Sequence, residues 1–262
     1  MWVKESYSIR QISNISGHSE AKLQRIKNYW LEHAPDNIEI DSTTKYLLFD
    51  GTYFDEKSCL ALFLNAVTKK PVLYKHIERE SYYNVLPLLE ELKAEGVNPI
   101  SITTDGQKQV IKATLDVWPN IITQRCLYHI QRQGLMWLRT YPRTKAGIEL
   151  KKILLGLLLI KTKADKEKFL HAWVKWQNKY AVFMKELPSN EVAYKDLKRT
   201  RSLIKNALPN MFHYLDDPNI PPTTNLLEGF FSHLKGDYNR HKGLSEKHKI
   251  AYLKWYCFLK GE

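Results

Sequence analysis

The chain has 262 residues, 44% of them hydrophobic, enough to bury one large core or two modest ones. Its 40 Lys+Arg against 28 Asp+Glu give a formal net charge of +12 and a pI near 9.4, an excess that points to a polyanionic partner such as nucleic acid. Three scattered cysteines (Cys59, Cys126 and Cys257) argue against a disulfide framework, and the longest apolar run, ILLGLLLI at 153–160, is too short to span a bilayer.

The N-terminus, MWVKESYSIRQ, has no apolar signal region, so a soluble cytoplasmic protein with no membrane partner is expected. Residues 7–31 read as two short helices around a turn at Gly17. Ile9, Ile12 and Ile15 line one face of the first, Ser19 caps the second, and Leu23 and Ile26 point inward. The pattern is that of a helix-turn-helix over residues 1–36, with Lys22, Gln24 and Arg25 left to meet DNA. EHAPDN (32–37) reads as a linker.

From residue 44 the period changes. TKYLLFD, SCLALFLNAVT and PVLYKHI are rich in strand formers, separated by GTYFDEK and KK, and predict three consecutive antiparallel strands. SYYNVLPLLEELKAEG predicts a helix stopped at Gly96. PISITT is a strand delivering Asp105, GQKQVIKATLDVW a helix and NIITQRC a short strand. The order β-β-β-α-β-α-β predicts an α/β fold with a mixed sheet flanked by helices. Beyond residue 126 the period is helical, in KAGIELKKILLGLLLI, DKEKFLHAWVKWQNKYAVFMKEL and AYKDLKRTRSLIKNAL. Trp173 and Trp176 are read here as core. LDDPNIPPTTN is a loop, because Pro218, Pro221 and Pro222 oppose helix, and NLLEGFFSHLKGDY and SEKHKIAYLKWYCFLK return to helix.

Two Asp-Gly pairs frame the functional question. Asp50-Gly51 and Asp105-Gly106 could be tight turns, yet the segment after Gly51 is short and polar for a matching strand, and the residues after Gly106 are helical in period. Asp105 ends a strand, where open α/β sheets place ligand sites. A third acid, Glu228, could complete a capping box with Asn225. It also borders the apolar stripe of Leu227, Phe230, Phe231 and Leu234, from which a carboxylate could face the sheet. The acids are 55 and then 123 residues apart, so a block of helices precedes the last one.

An acid on the first of three strands, one after the fourth and one on a late helix resemble the ribonuclease H-like integrase fold. With DGTYF, TTDG, RCLYH and TTNLLEGFFSHLK, residues 40–262 resemble the Mutator-like superfamily of bacterial insertion-sequence transposases, with a helical insertion at about 130–220. The resemblance implies that Asp50, Asp105 and Glu228 are a DDE triad holding two Mg²⁺ ions, with Mn²⁺ as a substitute. It implies cutting of double-stranded DNA at transposon ends and joining of the 3′-hydroxyl to target DNA. It also implies a homo-oligomer on DNA in the prokaryotic cytoplasm, at the nucleoid. Cys126 and His129 match the family's Cys-x-x-His motif and are assigned to the catalytic pocket, whereas no second ligand pair supports a zinc site. Arg125, Lys235, Arg240 and Lys242 join Lys22, Gln24 and Arg25 as expected DNA contacts. Many relatives carry a longer N-terminal DNA-binding region, so a shortened copy is expected here. The alternatives are a catalytically silent DNA-binding derivative and a ribonuclease H-like nuclease; the three acids speak against the first, the helical insertion against the second.

Overall fold

The computed structural model describes residues 1–35, 39–241 and 243–261. The first two helices are α1 (Ile9–Ser16) and α2 (Glu20–Glu32). Ser8 caps α1 in a reciprocal box with Gln11, Gly17 closes it at φ 71°, and Ser19 caps α2. The pair therefore forms as read, but its faces differ from expectation. Ile12 is buried, whereas Ile15 and Ile26 are exposed, and the core contact at the end of α2 is made by Leu31.

Strand β1 (Tyr46–Asp55) is longer than expected. It runs straight through Asp50-Gly51, because Thr52 and Tyr53 are good strand residues whose partners Leu60 and Cys59 lie on β2 (Ser58–Asn65). The hairpin turn is at Glu56-Lys57. Asp50 faces Leu62, Gly51 faces Ala61, and Phe54 is bulged out between the Tyr53–Cys59 and Asp55–Ser58 pairs. Strand β3 (Pro71–Ile77) pairs antiparallel with β2, as expected. Asn65 makes the connecting turn by accepting from Val67 and Thr68, so the turn begins before the KK dipeptide.

Helix α3 (Tyr82–Ala94), capped by Ser81, is followed by β4 (Ser101–Thr104), α4 (Lys108–Val117) and β5 (Ile122–Arg125). The five strands form one mixed sheet in the order β3-β2-β1-β4-β5. Then come α5 (Leu127–Leu138), α6 (Lys145–Leu155), α7 (Lys163–Lys179), α8 (Ala181–Glu186) and α9 (Val192–Ala207). The apolar run 153–160 is only partly helix. α6 stops before Gly156, a 3₁₀ turn comes next, and Leu159 is exposed. The chain ends in α10 (Asn225–Asn239) and α11 (Glu246–Gly261). Among the described residues no helix is long and apolar enough to cross a membrane.

The chain divides into two compact units. The first holds residues 1–102, 107–121 and 225–262. Alternation along β1 and β2 sends Leu47, Phe49, Ala61 and Phe63 to a core shared with α3 and α4. Leu48, Leu60, Leu62 and Leu64 go to a second core with Leu227, Phe231 and Leu234 of α10 and Tyr252 and Tyr256 of α11. The pair α1–α2 joins this unit on α11. There the Trp255 indole donates to the Trp30 carbonyl at 2.8 Å, and Glu32 meets Lys247 and His248.

The second unit holds residues 103–106 and 122–224. Leu127, Ile130, Leu150, Leu154, Leu197 and Ile204 build its core around Trp173 and Trp176. Both indoles are 2% exposed and stack with centroids 5.6 Å apart, which agrees with the sequence reading. Charge is divided unequally. The first unit has 21 Lys+Arg against 19 Asp+Glu, a net of +2, and the second has 19 against 9, a net of +10.

Candidate active site

In the first unit Asp50 sits mid-strand, half-buried, and its Oδ1 accepts the Gly51 N–H at 2.9 Å. Its cross-strand neighbour Leu62 belongs to the core shared with α10, so Asp50 lies on the α10 side of β1. Glu228 is in the first turn of α10, half-buried, between Leu227 and the Phe231–Leu234 stripe. Asn225 is the first residue of α10, and Glu228 follows three residues later in the same turn. Asp50 and Glu228 are thus carried by elements that share one core.

Gly51 is required by space. A Cβ there would come within 2.6 Å of Glu80 Oε1 and 2.8 Å of Cys59 Sγ. Glu80 precedes the α3 cap Ser81, and the Gln107 amide donates to its Oε2 at 2.9 Å. Its own N–H donates to the Tyr53 hydroxyl at 3.1 Å. Burial first, then the negative charge of Glu80, pushes the Cys59 thiol up to about 12, with Asp50 adding to the effect and Lys235 opposing it. Sequence reasoning did not find Glu80. The available signal was a glycine inside a strand, which marks close approach of another group.

In the second unit Asp105 comes just after β4, half-buried, and Gly106 has φ 88°. A Cβ on Gly106 would fall 1.5 Å from Arg125 Nε, so the Arg125 side chain occupies the space a residue there would need. Arg125 Nε is buried without a hydrogen-bond partner. Burial lowers the Arg125 pKa, and the Asp105 charge counters it.

Cys126 stands at the head of α5, and the Thr224 N–H and hydroxyl both donate to its Sγ, at 3.3 and 3.4 Å. The same hydroxyl lies 3.4 Å from His129 Nδ1. Burial pushes the Cys126 thiol up, yet hydrogen bonds from His129 and Thr224 outweigh it and leave the thiol below its ordinary value. The Cys-x-x-His pair is thus one connected unit with Thr224, a partner the spacing did not suggest. All three cysteines are buried and free.

The expected DNA contacts are dispersed. Lys22, Gln24 and Arg25 are exposed on α2. Lys235 Nζ lies 5.6 Å from the Phe54 ring centroid, and Arg240 is exposed beside Asp237 at 3.8 Å. Lys242 lies outside the described residues. Among the described residues no three His, Cys, Asp or Glu side chains form a ready metal-holding group.

The family model described as "Transposase, Mutator family" matches residues 1–208, a stretch that includes Asp50, Asp105, Cys126 and His129 and stops short of Glu228. No match was found among curated proteins. With four fifths of its length matched, the chain belongs to the Mutator family of transposases.

Proposed function

We propose that the protein is a DDE transposase, in which Asp50, Asp105 and Glu228 act together in cutting DNA at transposon ends and joining the freed 3′-hydroxyl to a target. The family match carries this reading, and the carriage of Asp50 and Glu228 on elements of one core supports it. The mixed sheet, read as ribonuclease H-like, would be the scaffold, and the helices of the second unit the insertion.

The donor set suits a hard divalent cation, since all three groups are half-buried carboxylates. Mg²⁺ commonly binds through one or two carboxylates together with substrate phosphates rather than in an all-protein cage, and separate acids serve that mode. When bound, two Mg²⁺ ions, or Mn²⁺ in their place, stabilise the attacking and leaving oxygens of an in-line displacement. Asp50, held on a strand whose neighbours are buried, supplies fixed negative charge. Asp105 supplies a second charge beside the Arg125 guanidinium. Cys126, His129 and Thr224 shape the wall of the pocket at the start of α5. Exposed cations on α2 and on the second unit hold the DNA backbone, with more than one copy of the chain on the DNA.

The test is cleavage of a labelled transposon-end duplex with Mg²⁺ or Mn²⁺, run beside a DNA-binding measurement. Glu228→Gln, Asp50→Asn and Asp105→Asn should each lose strand cleavage while retaining duplex binding. Full activity in Glu228→Gln would remove that residue from the triad.

A further inference from the structure

Asp50-Gly51 is approached by a second acidic residue that the triad does not include. Asp50 and Gly51 alternate across β1, Asp50 toward α10 and Gly51 toward α3 and α4. On the α3 side the Glu80 carboxylate lies in the slot that the missing Gly51 side chain leaves, and a Cβ would come within 2.6 Å of its Oε1 and 2.7 Å of its Cδ. Any residue with a side chain at position 51 would displace it.

We infer that Glu80 is a positioning residue of the proposed transposase centre, a fixed negative charge that strengthens cation binding at Asp50. The inference rests on the transposase reading. Three features support it. The carboxylate is held, since Gln107 Nε2 donates to Oε2 at 2.9 Å. Its backbone is held, since the Glu80 N–H donates to Tyr53 Oη at 3.1 Å and the next residue, Ser81, caps α3. Its field reaches the Asp50 region, since Glu80 and Asp50 both act on the Cys59 thiol. Glu80 lies against the residue that follows Asp50, so the two like charges repel one another, and a divalent cation removes the repulsion. Residues that surround a metal's ligands characteristically tune its affinity about 10–100-fold.

The distinguishing variant is Glu80→Gln, which keeps the shape and an acceptor for Gln107 but removes the charge. Mn²⁺ binding to the full chain would be followed by electron paramagnetic resonance, with thermal melting measured without metal and cleavage measured across a Mn²⁺ series. Glu80→Gln should raise the half-saturating Mn²⁺ concentration about tenfold, leave melting unchanged, and regain most of its cleavage rate at saturating Mn²⁺. Gln107→Met should shift the binding curve the same way by a smaller factor. A wild-type Mn²⁺ curve in Glu80→Gln, with or without a fall in melting temperature, would overturn the inference. If Asp50→Asn also bound Mn²⁺ like the wild type, or the wild type bound none, the two-metal reading itself would fall. If Asp50→Asn lost binding while Glu80→Gln kept it, only the role of Glu80 would.

Discussion

The two Asp-Gly pairs share a dipeptide and little else. At 50–51 the strand continues, the glycine has ordinary backbone angles, and a carboxylate fills the vacated space. At 105–106 the strand has ended, the glycine has φ 88°, and a guanidinium fills that space. One aspartate has an anion for a neighbour and the other a cation. The units around them differ in the same sense, with net charges of +2 and +10. A glycine beside an acid thus sets the charge environment of that acid by deciding which side chain can lie against the backbone.

The largest effects come from removing the acids. Asp50→Asn and Asp105→Asn should each lower end cleavage by about a thousandfold or more, the scale of losing a principal electrostatic group. Their melting should differ. Asp50→Asn removes repulsion with Glu80 and should melt at the same temperature or higher. Asp105→Asn leaves the buried Arg125 charge uncompensated and should melt about 2–6 °C lower. Parallel shifts in calorimetry would break the contrast.

The glycines come next. Gly106→Ala combines strain at φ 88° with a collision against Arg125 and should cost about 2–4 kcal/mol, whereas Gly51→Ala has only the collision, at about 1–3 kcal/mol. Denaturant titrations of each variant with Glu80→Ala or Arg125→Ala sharpen this. Glu80→Ala should recover much of the Gly51→Ala loss, and Arg125→Ala should leave the φ penalty of Gly106→Ala in place.

Salt dependence separates the units. Lys198 and Arg199 are exposed on α9 in the second unit, and Lys45 and Lys57 are exposed in the first. Replacing Lys198 and Arg199 by Gln should flatten the slope of log affinity against log salt by about 1.8 if both meet phosphate. The same change at Lys45 and Lys57 should leave it unaltered. Fluorescence anisotropy between low and moderate salt reads both, and equal slopes would put DNA on the wrong unit.

The smallest effect belongs to His241, whose Nε2 donates to the Trp2 carbonyl at 3.0 Å and so ties the N-terminal segment to the first unit. Burial holds its pKa below the ordinary 6.5. The unfolded chain therefore takes up the proton first, so this contribution to stability is full above about pH 6.5 and is lost as pH falls toward the folded value. Melting of His241→Gln should decline less between pH 7 and pH 5 than that of the wild type.

Much of this was legible in the sequence. The strands and helices emerged from period, and Ser19, Gly17 and Gly96 marked helix ends by local chemistry. The continuation of β1 was missed because a glycine and a polar stretch mask a strand whose partner supplies the apolar face. Ile15 and Ile26 fit a helical stripe, yet a two-helix pair has only one neighbour to bury against and leaves part of that stripe exposed. The aspartates could be singled out from their positions, but Glu80 could not. It meets Gly51 across 29 residues of chain, and no local pattern encodes that contact.

The bulge at Phe54 bears on which changes in chain length the first strand can accept. Leu47, Leu48 and Phe49 lock β1 by sending alternate side chains into two different cores. A residue inserted between Phe49 and Asp50 would turn the acid toward α3, away from the helix that carries Glu228. A residue inserted near Phe54 falls where the pairing is already irregular and the turn is close, so the ladder upstream keeps its register. Length variation in this hairpin should therefore be confined to the turn side of Gly51, and a library of single-residue insertions scored for folding and cleavage would trace that boundary one residue past the acid.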